Sequence, residues 1–209
     1  MKLIDLTHEL EDGLLSYSVD ETPSIFPLAT IDSFGYEVNK LLITTHTSTH
    51  IDAPKHVLNY GEAIDTMPLE NFFGTAFILD VSFIENTVIS LEIFCKLYTC
   101  DADYIFFYTG SESKWNTQEY LYNYKYPSLD LCDYISKLPI KGVGFDTISI
   151  DSPHSVSLEN HKALLKNNKI IIENLNTLSL LKNKLCTVFI FPLKIKNGDG
   201  SPARIIAQI

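Results

Sequence analysis

No apolar run in this chain is longer than a short β-strand, and that limits its architecture more than any other feature. The longest runs are Tyr104-Ile105-Phe106-Phe107-Tyr108 and Val188-Phe189-Ile190-Phe191, far below the roughly 18 residues that suggest a membrane-spanning helix. Short β-prone segments are therefore expected at Lys2–Thr7, Glu37–Thr45, Thr75–Val81, Tyr104–Tyr108, Gly142–Phe145, Lys169–Ile172, Thr187–Pro192 and Ala203–Ile209. One stretch, Leu158–Lys166, has helical spacing, with Leu158, His161, Leu164 and Leu165 near one face. The segment Asn197–Pro202 has turn chemistry. With no repeat and no linker, the pattern predicts one domain over residues 1–209. Its expected class is α/β, a mixed, curled β-sheet flanked by helices.

Composition narrows the partners. Sixteen basic and 26 acidic residues give a net charge of −10, which disfavours nucleic acid or an anionic membrane as the main partner. It leaves divalent cations open. Asp5, His8 and Glu9 interrupt any apolar leader, so the cytoplasm is the expected location. Cys95, Cys100, Cys132 and Cys186 are scattered, without a C-x-x-C pair, and are expected to be reduced and mostly buried.

The chemistry concentrates in Thr45-His46-Thr47-Ser48-Thr49-His50-Ile51-Asp52-Ala53-Pro54-Lys55-His56. His46, His50, Asp52 and His56 occupy even positions, which project to one side of an extended backbone until Pro54 interrupts it. Imidazoles and a carboxylate so placed form a metal-ligand set, suited to zinc or its first-row neighbours.

The pattern His-x-x-x-His-x-Asp-x-Pro-x-His resembles the signature of the cyclase family of metal-dependent hydrolases, with Ser48 where that family usually carries glycine. Further blocks extend the resemblance along nearly the whole chain. They are Asp5–His8, Tyr108–Gly110 with Trp115, Gly142–Asp151, His161 followed by Ile172–Leu175, and Pro192-Leu193 with Gly198–Arg204. The resemblance implies metal ligands at His46, His50, Asp52, His161 and Glu173, with Asp52 able to bridge two ions, and His56 as catalytic acid/base. It implies one or two divalent ions per chain, Zn2+ first and Mn2+ as an alternative, and a homodimer or higher homo-oligomer.

The activity it implies is hydrolysis of an amide or lactam C–N bond in a small molecule. Kynurenine formamidase-type deformylation and ring opening of an isatin-like lactam are the two forms, and a lactone would serve the same chemistry. A non-catalytic metal- or small-molecule-binding protein on the same fold is the competing expectation. Tyr17 falls where the family places a large aromatic and could stack on a substrate ring. His8 is expected to pair locally at the end of the first strand, and His154 to lie in a loop near the substrate. Asp199 and Arg204 are expected to be structural, as an ion pair. The stripe Tyr120, Tyr122, Tyr124, Tyr126 and Trp115 suggests packing or a subunit interface.

Overall fold

Short strands alternating with turns and brief helices can bury their apolar faces by curling into a closed sheet, and the computed structural model, which describes residues 1–209, does this. Its strands are β1 (Leu3–Asp5), β2 (Ser24–Ala29), β3 (Val38–Leu42), β4 (His50–Asp52), β5 (Phe73–Asp80), β6 (Val88–Ile89), β7 (Tyr104–Tyr108), β8 (Tyr126–Pro127), β9 (Gly142–Phe145), β10 (Ile170–Glu173), β11 (Leu185–Pro192) and β12 (Gly200–Gln208). The helices are α1 (Ile31–Phe34), α2 (Leu91–Leu97), α3 (Gln118–Tyr122), α4 (Leu129–Ile135) and α5 (Glu159–Leu165).

The main sheet runs β1-β12-β11-β5-β7-β9-β10-β4, and a further pairing of β12 with β4 closes it. The expected α/β class with a mixed, curled sheet is therefore the fold observed. Strands β5, β7, β9 and β10 are mutually parallel; the other pairings in the ring are antiparallel. Parallel strands covered on both faces should be apolar throughout. Alternate residues here divide cleanly. Ile78, Tyr104, Phe106, Ile170 and Ile172 point into the barrel, against Ile51, Val188, Ile190 and Ile205. Phe77, Leu79, Ile105, Phe107, Val143, Phe145 and Ile171 point outward, beneath residues of α2, α4 and α5.

Closure depends on β12. One edge of it pairs with β11, while the other is shared, Gly200–Pro202 pairing with β4 and residues 206–208 with β1. The expected turn at Asn197–Pro202 is thus shortened, because its last three residues are taken into the strand that completes the ring. The expected helix at Leu158–Lys166 forms as Glu159–Leu165. The expected strand at Glu37–Thr45 forms only as Val38–Leu42, paired with β2 in a hairpin outside the barrel. All four cysteines are free, but burial holds only for Cys132 and Cys186; Cys95 is exposed. No helix is long and apolar enough to cross a membrane.

Candidate metal centre and active site

Strand β4 carries the centre of the site. It lies buried between β10 and the start of β12, in a register that sets His50 opposite Glu173 and Asp52 opposite Gly200. Period-2 alternation then sends His50, Asp52 and Glu173 the same way. A Cβ at Gly200 would stand 2.6 Å from the Ile51 carbonyl oxygen and 2.9 Å from the His46 ring. Only glycine lets β12 approach this closely. His46 does not continue the strand. It projects from the preceding turn, so the even-position pattern holds within β4 for His50 and Asp52 alone.

Asp52 is fully buried and faces two ways. Its Oδ1 lies 2.7 Å from His46 Nδ1 and 3.3 Å from His50 Nε2. Its Oδ2 has no hydrogen-bond partner and lies 3.3 Å from His161 Nε2. Glu173 joins both sides, with Oε2 3.4 Å from His50 Nε2 and Oε1 3.2 Å from His161 Nε2. Donor atoms about 2.05 Å from a tetrahedral zinc would stand about 3.3 Å apart. The 3.2–3.4 Å spacings of His50 and His161 from these carboxylates are therefore those of ligands around a cation, whereas His46 Nδ1, at 2.7 Å, is hydrogen-bonded to Asp52. Three triads could hold a cation: His46–His50–Asp52 and Asp52–His161–Glu173, which share Asp52, and the less buried His46–His56–Asp199.

The opposite nitrogen of each of these three rings is held. His50 Nδ1 donates to the Ser48 carbonyl at 2.8 Å, His161 Nδ1 to Asp151 Oδ2 at 2.5 Å, and His46 Nε2 to Asp199 Oδ2 at 3.0 Å. A histidine fixed on one nitrogen and free to bind on the other is the usual state of a metal ligand, and His50 and His161 fit it, whereas His46 is hydrogen-bonded on both nitrogens. His56 differs. It ends a short 3-10 turn, Pro54–His56, with its ring 4.1 Å from that of His46 and 5.6 Å from that of His161. Its closest carboxylate oxygen, Asp199 Oδ2, is 3.7 Å away.

Electrostatics separates the same residues. Burial pushes every one of these imidazoles toward the neutral form. At His50 the Asp52 and Glu173 carboxylates overcome burial and push the pKa up to about 10. His161 is raised well above its ordinary value by Glu173, Asp151 and Asp52 against burial, and His46 is raised chiefly by Asp52. Only at His56 does burial win, lowering its pKa despite Asp52. The imidazoles beside Asp52 thus sit where positive charge is favoured, whereas His56 stays neutral and able to accept a proton.

Several sequence expectations change here. Ser48, expected to sit on a backbone that suits a residue with a Cβ, instead adopts φ +57°, the left-handed region that favours glycine, and the buried Ser48 Oγ lacks a partner. Asp199 does not pair with Arg204, whose guanidinium binds Asp5 at 2.6 and 3.0 Å; Asp199 instead faces His46 and His56. His8 does not pair locally. Its backbone N–H donates to Thr49 Oγ1, and its ring stacks on Trp115 at 3.8 Å. Tyr120 and Tyr124 are buried with Ile148 and Leu121, which leaves Tyr122 as the exposed member of the stripe. His154 is exposed and lies outside the cavity over the site.

That cavity, about 360 Å³, is lined beside the histidines by Leu14, Tyr17, Trp115, Ile148 and Leu158. Tyr17 is half exposed, with its hydroxyl 2.8 Å from that of Tyr124, which donates to the Asp151 carbonyl. Asp151 and Asp199 are the site residues that sequence reasoning missed. Their only signal is the general need of a ligating histidine for an acceptor on its second nitrogen.

A closed mixed barrel with a buried imidazole–carboxylate centre under an open cavity defines a site suited to a divalent cation. Residues 4–152 match the Cyclase family model. The chain is 35% identical over 213 residues to an uncharacterized protein of Methanocaldococcus jannaschii, covering 99% of each. It is 28% identical over 207 residues to a kynurenine formamidase of Bacillus thuringiensis, covering 98% of this chain and 96% of that one. A Bacillus stearothermophilus protein described as a predicted metal-dependent hydrolase superposes with a TM-score of 0.83 at 25% identity, over 99% of this chain and 97% of that one. Isatin hydrolase A of Ralstonia solanacearum superposes with a TM-score of 0.86 at 21% identity, over 99% and 91%. The chain belongs to the cyclase family and is a hydrolase.

Proposed function

We propose that the protein hydrolyses an amide or lactam C–N bond of a small molecule, with His46, His50, Asp52, His161 and Glu173 holding the cation and His56 moving the proton. The observation that supports this reading best is the contrast among the four imidazoles. Three are anchored on one nitrogen and face buried carboxylates with the other, and the fourth, His56, has no hydrogen-bond partner within reach and has its pKa lowered by burial. A divalent cation at such a centre lowers the pKa of water from about 15.7 toward 7 and polarises a carbonyl.

His56, neutral at physiological pH, takes the proton from the attacking water and returns it to the leaving nitrogen as the C–N bond breaks. Asp52 and Glu173 contribute −2, so two divalent ions would leave the centre net positive and able to stabilise a developing oxyanion. Zinc is the first choice and manganese the alternative, and the two-sided Asp52 can serve one ion or bridge two. The aromatic walls at Tyr17 and Trp115 favour a ring-bearing substrate. The kynurenine formamidase relatives favour deformylation over lactam or lactone opening. A cytoplasmic location and a homo-oligomer complete the proposal.

The test is metal analysis of the purified protein together with assays of amides, lactams and lactones, with and without chelator. Hydrolysis that survives complete metal removal rejects the reading. His56→Ala should lower the rate by about 10²–10⁴ with metal retained; an unchanged rate removes His56 from the mechanism.

A further inference from the structure

We propose that the cavity selects a ring-bearing substrate that carries an amino group and no carboxylate, with Tyr17 Oη and the Glu21 carboxylate as the acceptors that recognise the amine. The inference rests on the hydrolytic reading for its reaction, but its binding preference stands on the cavity walls alone.

The first observation is the direction of a hydroxyl chain. The Asp151 carbonyl can only accept, so the Tyr124 hydroxyl gives its one proton to that bond, at 2.9 Å. Tyr124 must then accept in its 2.8 Å contact with Tyr17, and Tyr17 is the donor there. Tyr124 is buried, which keeps water from competing for its proton. Tyr17 has no second O–H. Its oxygen therefore offers the cavity lone pairs alone, and a substrate group that meets it must be a donor.

The second observation is charge. No lysine or arginine lines the cavity, whereas Glu21, Asp151 and Glu173 do. Two of these carboxylates are engaged. Asp151 accepts from the His161 ring and the Asn160 N–H. Glu173 accepts the Ile150 N–H at 2.9 Å and faces His50 and His161. Glu21, at the end of the turn Val19–Glu21, has no hydrogen bond or ion pair to its carboxylate. Away from the cation centre, a substrate carboxylate would find no positive partner on these walls and would be repelled by Glu21, in a chain of net charge −10. An ammonium group suits all of them. It has only donors, it pairs with Glu21, and the ring faces of Tyr17 and Trp115 attract it. The volume, about 360 Å³, is near the lower end for small-molecule sites and holds one substituted ring.

Formanilides that differ only in a meta substituent test the preference on the full-length protein supplied with Zn2+. The aminomethyl compound, an ammonium ion at neutral pH, should exceed the hydroxymethyl compound in kcat/KM by about two- to fivefold, and the carboxylate should fall below both. Glu21→Gln and Tyr17→Phe should each bring the aminomethyl to hydroxymethyl ratio toward one. A carboxylate turned over as well as the ammonium compound overturns the substrate class. A ratio unchanged in both variants overturns the roles of Tyr17 and Glu21. Calorimetric binding of meta-aminobenzylamine against meta-aminobenzyl alcohol needs no turnover and should show the same preference, lost in Glu21→Gln; equal affinities in the wild type overturn the inference. A protein that binds the amine selectively but hydrolyses no formanilide keeps the preference and counts only against the proposed function.

Discussion

Replacing Asp151 with asparagine should weaken metal binding far more than it weakens the helix it caps. Asp151 is buried and uses its two oxygens differently. Its Oδ1 accepts the Asn160 N–H at 2.9 Å, which caps α5. Its Oδ2 accepts the His161 ring at 2.5 Å and the His161 backbone N–H at 3.3 Å. In Asp151→Asn the amide oxygen can keep the cap, but an NH2 group then faces the ring N–H. The ring loses a charge-assisted bond of about 1.5–3 kcal/mol, which corresponds to about 10–150-fold in the population of the ring turned toward Asp52 and Glu173. Loss of a carboxylate behind a ligating histidine ordinarily costs about 10–100-fold in metal affinity, within that range. Competition titration of metal-stripped protein against a chromophoric chelator at neutral pH measures the dissociation constants directly, and thermal unfolding of the metal-free forms reports the cap. Equal metal affinity in wild type and variant, with only the melting temperature lowered, would reduce Asp151 to a helix cap and remove the argument that the anchored rings are ligands.

Two further outcomes concern stability. Ser48→Gly should raise the melting temperature by roughly 1–4 °C, because relief of about 1–2 kcal/mol of left-handed strain exceeds the added chain entropy of glycine, about 0.5–1 kcal/mol; a lower melting temperature would refute the strain assignment. Burial against Trp115 lowers the His8 pKa from 6.5 to about 4, so the folded state holds this ring neutral. The unfolded chain takes up the proton first on acidification, so this contribution is complete above pH 6.5 and falls away toward pH 4, by about 1.4 kcal/mol per pH unit. Denaturant unfolding of wild type and His8→Gln should therefore show a stability difference that shrinks by about 2 kcal/mol between pH 6.5 and 5; a difference independent of pH would contradict the assignment.

Much of the fold is legible because its signals are local. Tyr104–Tyr108 is a strand as expected, since a short all-apolar, aromatic run bounded by turn residues has few other solutions. α5 appears one residue inside each expected end, with His161 on its buried face. The stretch from His46 to His56 announces a metal-type site by composition alone. Asp199 shows where such reading ends. Beside an Asn-Gly-Asp-Gly turn it looks like turn chemistry, and only the pairing of β12 with β4 brings it to His46, 153 residues away. The tyrosine stripe shows the packing that was one of its two expected roles. Which of its rings pack was beyond local reading: Tyr120 and Tyr124 turn inward, their hydroxyls bonded to Asn174 and to the Asp151 carbonyl.

Residue type and spacing alone determined that this chain would form short strands around a mixed sheet and that His46, His50 and His56 would lie near Asp52, whereas His161 and Glu173 were assigned to the same centre only by the family resemblance. The strands and the local cluster follow from side-chain volume, backbone period and ligand chemistry acting within about ten residues. Which nitrogen each imidazole offers, which carboxylate stands behind it, and that β2–β3 stays outside the barrel were settled only by tertiary structure. The two edges of β12 must first join β4, β11 and β1, and contacts over such sequence distances leave no period for local patterning to record.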